Sequence, residues 1–159
     1  MVAGVAVRSG RGIRDQWPRS AGRVAAQALR MEYGITVRTS DSFGDTVARV
    51  RTALREQGFG VLTEIDVQQT LRDKLGESME DYLILGACNP PLAHRALDAD
   101  RRIGLLLPCN VVIRTEGKQT VVEALNPDVM VEVTGQEALR PVAEEATRRL
   151  TAALDTLRA

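Results

Sequence analysis

The sequence predicts an α+β domain, with a single mixed, largely antiparallel sheet of about five strands packed against helices and a long C-terminal helix. Three observations lead to this fold class. Short apolar or alternating segments recur between Gly, Pro, Asn and Asp clusters, as strands do. Helical patterns separate the first strands, whereas Glu116-Gly117 joins the last two as a hairpin. The chain has 159 residues, 44% of them hydrophobic, which suffices for one core.

The first half of the chain predicts two strands and two helices. Residues 33–39 alternate apolar and polar side chains, which is typical of a half-buried strand. Ser42 is suited to cap a helix whose apolar residues recur at steps of three and four and which ends at Gly58. Residues 59–67 predict the next strand, and Asp66 then caps a short helix.

The second half predicts three further strands. Residues 82–87 are nearly all apolar, which favours a central strand covered on both faces. Asn89 is suited to cap a short helix that begins with two prolines, because proline belongs in a first helical turn. Residues 103–113 predict the fourth strand, with a bulge or bend at Pro108, and residues 118–125 complete the hairpin.

A long helix is expected at the C-terminus. Its apolar residues run from Leu139 to Leu157 at helical spacing, whereas the residues directly after Asn126-Pro127 predict only a short turn or strand. Thr134 offers one start as a helix cap. Pro141 offers a later one, because proline inside a helix removes a backbone hydrogen bond.

Charge is unevenly divided along the chain. Residues 1–30 hold six arginines and one aspartate, a net charge of +5, so residues 31–159 carry −5 in a neutral chain. No strand or helix period persists in residues 1–30, so we expect these residues to be a disordered or non-native N-terminal extension. The extension is non-native if translation starts at Met31. Residues 31–159 are expected to form a single domain. A negative domain is poorly suited to nucleic acid or an anionic membrane, and neither is an expected partner.

The apolar runs and the number of cysteines indicate the cellular compartment that we expect for this chain. No apolar run approaches the roughly 20 residues of a membrane span. Two cysteines are too few for a disulfide framework. The chain is therefore expected to be a soluble, cytoplasmic protein with free thiols.

The unusual chemistry lies between residues 83 and 113. Both cysteines, Cys88 and Cys109, and the single histidine, His94, lie there, and each cysteine is followed by an asparagine, Asn89 or Asn110. If the strands that carry the cysteines are neighbours, the two sulfurs lie close together. These five residues are therefore the candidate ligand-binding residues.

A metal site is one interpretation of this segment. Cys88, His94 and Cys109 are ligands that suit zinc or Cu(I). The 21-residue spacing of the thiols lacks a Cys-x-x-Cys signature, and nothing in the sequence requires a cofactor. The competing interpretation is that both cysteines pack as small hydrophobic residues, while Asn89 caps a helix and Asn110 satisfies backbone groups beside a proline.

Longer sequence blocks carry a resemblance. They are Gly58-Phe59, Glu64-Ile65-Asp66, Lys74-Leu75-Gly76, the nine residues Tyr-Leu-Ile-Leu-Gly-Ala-Cys-Asn-Pro from Tyr82, Leu92-Ala93-His94, Ala96-Leu97, and the nine residues Ile-Gly-Leu-Leu-Leu-Pro-Cys-Asn-Val from Ile103. In these blocks the chain resembles the bacterial and archaeal domain of unknown function 302 family, over roughly residues 33–154. The resemblance implies a compact α+β domain that is often homodimeric. It implies no established activity and no catalytic residue.

Three function classes stay open. The favoured one is a small binding or interaction domain, with a Cys/His pocket for an unidentified small ligand or a metal. The second is a thiol-dependent or redox enzyme, with Cys88 as nucleophile or Cys88 and Cys109 as a redox couple. In that case the helix that begins after Asn89 is expected to lower the pKa of the Cys88 thiol. The third is a purely structural homodimer.

Overall fold

The computed structural model describes residues 32–158, and the predictions made for residues 1–30 lie outside this part of the chain. The strands are β1 (Gly34–Thr39), β2 (Gly60–Asp66), β3 (Tyr82–Cys88), β4 (Cys109–Glu116) and β5 (Gln119–Leu125). The α-helices are α1 (Phe43–Glu56), α2 (Val67–Leu75), α3 (Pro90–Ala99), α4 (Asp128–Thr134) and α5 (Arg140–Asp155). Short 3₁₀ helices span Arg101–Leu106 and Glu137–Leu139.

The strands form one sheet in the order β1-β5-β4-β3-β2, and all four pairings are antiparallel. This confirms the predicted α+β fold and its long C-terminal helix. The register of β2 against β3 shifts between Val61 and Thr63, so Leu62 forms a β-bulge on the sheet edge. None of the helices in the described part of the chain is both long enough and apolar enough to cross a bilayer.

Three helices begin at the side-chain caps that the sequence predicted. In each, the side-chain oxygen accepts a hydrogen bond from the backbone N–H three residues later, at 3.2 Å for Ser42, 2.8 Å for Asp66 and 3.3 Å for Asn89. Such caps satisfy N–H groups that have no partner inside the helix. Gly58 follows α1 with a φ of 80°, in the left-handed region that favours glycine.

The prediction for the start of the fourth strand was wrong. Residues 103–107 lie mostly in the 3₁₀ helix that the Asp100 side chain caps, and β4 begins only at Cys109. The apolar run 103–107 gave a wrong strand prediction because its residues have different surroundings. Ile103 is buried in a cluster of helices, whereas Leu105 is 83% exposed. Pro108 has no N–H to donate to a strand ladder, so the strand starts after it.

The C-terminal region contains a helix that the sequence did not predict. Residues 128–134, expected within a turn or strand, form α4, which buries Met130 and Val131. Helix α5 starts at Arg140 with Pro141 in its first turn, the later of the two predicted starts.

Two groups of buried apolar residues form the core. The sheet cluster joins alternate residues of the strands to α1 and the second half of α5, and it includes Val37, Leu85, Val111, Ile113, Val122, Val50, Leu54, Leu150 and Leu154. The helix cluster joins α3, both 3₁₀ helices, α4 and the first half of α5, and it includes Leu92, Ala96, Ile103, Met130, Val131, Leu139, Val142 and Ala146. We call the side of the sheet that carries the sheet cluster the inner face, and the opposite side the outer face.

Candidate functional site

A small cavity lies where the sheet cluster meets the helix cluster, and we call it the seam cavity. Both cysteines line it, Cys88 from the end of β3 and Cys109 from the start of β4. The other walls are almost entirely apolar and come from both clusters, including Phe59, Leu92 and Met130. The space open to the centre of a water molecule is about 20 Å³. This holds about one water or one atom, so the cavity is too small for an organic ligand.

Strand pairing explains why the two cysteines are near each other. Cys109 pairs with Ala87 in the β3–β4 ladder, and Cys88 is the residue that follows Ala87. The sheet therefore brings together two residues that are 21 positions apart. Both are free thiols, with Cys109 buried and Cys88 partly exposed.

Burial keeps both sulfurs protonated. Desolvation raises the pKa of the Cys88 thiol from 9.0. It also raises the pKa of Cys109 to about 11, and the nearby Cys88 thiolate adds to that shift. The expected lowering of the Cys88 pKa by α3 is therefore contradicted, because desolvation dominates. At neutral pH neither sulfur is an activated nucleophile, since the thiolate is the reactive form.

His94 lies apart from the cysteines. Its side chain is 77% exposed, and Nδ1 lies 3.3 Å from the Asp98 carboxylate one turn later in α3. It does not line the seam cavity. Across residues 32–158, no group of three or more His, Cys, Asp or Glu side chains is placed to hold a metal ion. The predicted Cys88–His94–Cys109 set is not brought together.

The two asparagines separate as well. Asn89 lines the seam cavity, and its side-chain oxygen caps α3. Asn110 is exposed and follows Cys109 in β4, so strand alternation places it on the outer face. There it lines a shallow groove of about 260 Å³, together with Tyr33, Tyr82 and Val112.

The outer face carries an apolar row and a group of ion pairs. Ile65 pairs with Ile84, and Ile84 pairs with Val112, so one apolar row crosses three strands. Side chains of both charges lie beside it. Arg114 is 2.9 Å from Glu116 and 3.3 Å from Glu123.

These ion pairs shift the pKa values of their members. Hydrogen bonds from Arg114 and then from Arg38, which lies 3.1 Å away, hold the pKa of Glu116 below its ordinary value. In turn, the hydrogen bond to Glu116 raises the pKa of Arg114. Both shifts favour the charged forms of Arg114 and Glu116.

Met130 is a residue at the seam cavity that the sequence analysis missed. It lies in the unpredicted helix α4, is 3% exposed and is one of the residues that line the cavity. A methionine followed by valines has no metal-site spacing, so only recognition of α4 would have indicated its position.

Comparison with known proteins agrees with the fold and the sequence blocks. The family profile described as "Domain of unknown function DUF302" matches residues 35–157. A crystal structure of an uncharacterized conserved DUF302 protein from Bacillus stearothermophilus is similar, with a TM-score of 0.76 and 31% sequence identity over 80% of this chain and 100% of that chain. No curated protein matches the sequence. This chain therefore belongs to the DUF302 family.

Proposed function

We propose that this domain is a non-enzymatic interaction module that pairs with a second copy of itself through the outer face of its sheet. The observation that carries the proposal is the apolar row Ile65–Ile84–Val112, which none of the buried apolar clusters of the described residues includes. The Ile65 side chain is 49% exposed, and Ile84 and Val112 are partly exposed. Burying such surface is the main favourable term in protein association.

The charges beside the row favour a second copy over other partners. In a two-fold dimer the same patch faces itself, so it must carry both signs in balance. Arg38 and Arg114 supply two positive charges, and Glu116 and Glu123 supply two negative ones. A nucleic acid would need an excess of cations on this surface, so the balance argues against that partner.

The raised thiol pKa values favour an interaction role over a thiol-dependent enzyme. Cys88 and Cys109 are protonated at neutral pH, so neither is poised to attack a substrate. The exposed His94 does not line their cavity and offers no general base there. A reducing cytoplasm, in which both cysteines stay thiols, is the setting that we propose. A purely structural homodimer would use the same outer face.

The test is to place a charge in the middle of the apolar row. We expect the full chain to sediment as a dimer and Val112→Asp to sediment as a monomer with an unchanged circular dichroism spectrum. A buried, unpaired carboxylate in each copy should raise the dissociation constant by at least about 100-fold. Sedimentation equilibrium over a range of concentrations measures this constant.

A matched control uses an exposed apolar residue outside the outer face. Leu105 is 83% exposed in the 3₁₀ helix after α3, so Leu105→Asp should dimerise like the unmodified chain. A chain that stays monomeric at every accessible concentration contradicts the proposal. Loss of the dimer in both variants, or in neither, contradicts the assignment of the interface to the outer face.

A further inference from the structure

We propose that the groove between helices α3 and α5 is a binding site for a small phosphate-type oxyanion, and we call it the helix groove. Pro91 and Pro141, in the first turns of the two helices, line it, as does Gly58 after α1. Its volume is about 590 Å³, which is in the range of small-molecule sites. Its polar lining residues are Asn89, Arg95, Glu144, Glu145, Arg148 and Arg149. None of them belongs to the proposed dimer surface on the outer face.

Gly58 leaves a gap between two hydrogen-bond donors. A Cβ at this position would lie 3.0 Å from Asn89 Nδ2 and 3.7 Å from Arg149 Nη1. Apart from the neighbours of Gly58 in the chain, no other heavy atom of the described residues lies within 4 Å of that point. The two nitrogens therefore flank one open space beside the Gly58 backbone. Such a pair of N–H donors is suited to the oxygens of an anion.

The side-chain nitrogen of Asn89 lacks an acceptor. Asn89 is 8% exposed, and its side-chain oxygen accepts a hydrogen bond from the N–H of Leu92. Its nitrogen donates to no other residue within 32–158. Thr147 Oγ1 is the one fully enclosed side-chain polar atom without a partner in that range, so the Asn89 nitrogen still reaches the groove. A nearly buried N–H group without an acceptor costs free energy, and an anion in the groove would supply one.

The charges of the helix groove favour an anion. Three arginines and two glutamates line it, an excess of one positive charge. Glu145 is already engaged, because it accepts hydrogen bonds from Arg148 and, at 2.6 Å, from Arg149 Nε. Two helices also begin at the groove, and α5 has no side-chain cap at its start. The N-terminal ends of helices carry partial positive charge and attract anions.

The donors and the carboxylates together favour phosphate over other oxyanions. A guanidinium group matches two oxygens of a phosphate at once. Inorganic phosphate keeps a proton at neutral pH, so its P–O–H group can donate to a carboxylate such as Glu144, which also lines the groove. Sulfate has no proton to donate at this pH, so the glutamates should disfavour it.

The experiment is isothermal titration calorimetry of the full chain with inorganic phosphate, repeated with sulfate. We expect one phosphate per chain and weaker binding of sulfate. Asn89→Asp keeps the oxygen that caps α3 but replaces the N–H donor, so it should weaken phosphate binding by about 10-fold or more. Arg95→Gln removes one positive charge and should weaken binding by about 3-fold. Circular dichroism identifies a variant that fails to fold, and the other variant then decides.

Matched controls make the same substitutions outside the groove. Asn110→Asp changes an exposed residue of the outer face, and Arg102→Gln changes an exposed arginine after α3. Both should bind phosphate like the unmodified chain, as should Val112→Asp, so the result is independent of dimer formation. Absence of phosphate binding, sulfate binding as tight as phosphate binding, or equal losses in the groove variants and their controls would overturn the proposal.

Discussion

The two faces of the sheet are made of alternate residues of the same strands, yet they meet different surroundings. On the inner face, Leu85 and Val111 pair across β3 and β4 and have no exposed surface. One position away in each strand, Ile84 and Val112 also pair, but both remain partly exposed. The inner face is covered by α1 and α5, and the outer face carries charges beside its apolar row. The same alternation thus buries apolar side chains on one side of the sheet and leaves partly exposed apolar side chains on the other.

The most direct test of this difference in burial is to truncate two neighbouring residues, one on each face of the sheet. Leu85→Ala leaves a cavity in the sheet cluster and should lower the free energy of unfolding by about 3 kcal/mol. Ile84→Ala, one residue earlier, should cost less than about 1 kcal/mol, because its side chain is already partly hydrated. Urea unfolding measures both losses of stability, at a protein concentration low enough that dimerisation does not contribute. Equal losses would show that the outer face is covered as completely as the inner one.

The alkylation rates of the two cysteines give a second test of how burial differs between neighbouring positions. Buried Cys109 should be alkylated at least about 100-fold more slowly than Cys88 in the native protein, because it reacts only when the structure opens. Cys88 itself should react more slowly than a free cysteine at pH near 8, since its raised pKa leaves less thiolate. Mass spectrometry after timed alkylation measures both rates. A Cys88 that reacts faster than the free amino acid would restore the nucleophile hypothesis.

Gly86 tests whether part of the outer face is tightly packed. A Cβ at this position would lie 2.2 Å from Thr63 Oγ1 and 2.9 Å from Pro108 Cγ. Gly86→Ala should therefore cost about 1–3 kcal/mol of unfolding free energy, and adding Thr63→Ala should recover part of it.

The control for this prediction is Gly104→Ala. Its Cβ would meet nothing within 4 Å, so the substitution should be nearly neutral. Thermal or urea unfolding of the three variants beside the unmodified chain measures the differences. A neutral Gly86→Ala would mean that Thr63 and Pro108 move apart at little cost.

Much of the fold could be predicted because its signals are local. The caps at Ser42, Asp66 and Asn89 and the hairpin turn each depend on a few adjacent residues. Residues 103–107 failed because a short apolar run fits a strand or a buried helical turn equally well. Helix α4 was missed because it lacks a side-chain cap and is held by its contacts in the helix cluster.

The candidate site was less predictable, for geometric reasons that the sequence partly contained. Residues in a helix are about 100° apart, so His94 lies roughly 200° from the buried Leu92 and points away from the core. Strand alternation likewise separates Asn110 from Cys109. The sequence analysis made the proximity of the cysteines conditional on their strands being neighbours, and β3 and β4 do pair. The position of Met130, in contrast, depends on tertiary packing in the helix cluster.

The β-bulge at Leu62 also affects whether further chains can add to the edge of the sheet. An unbroken edge strand offers its free N–H and C=O groups to any other chain, and successive additions at such an edge produce fibrils. At the end of the sheet formed by β2, the extra residue interrupts that template. Growth by strand addition along this margin is therefore discouraged.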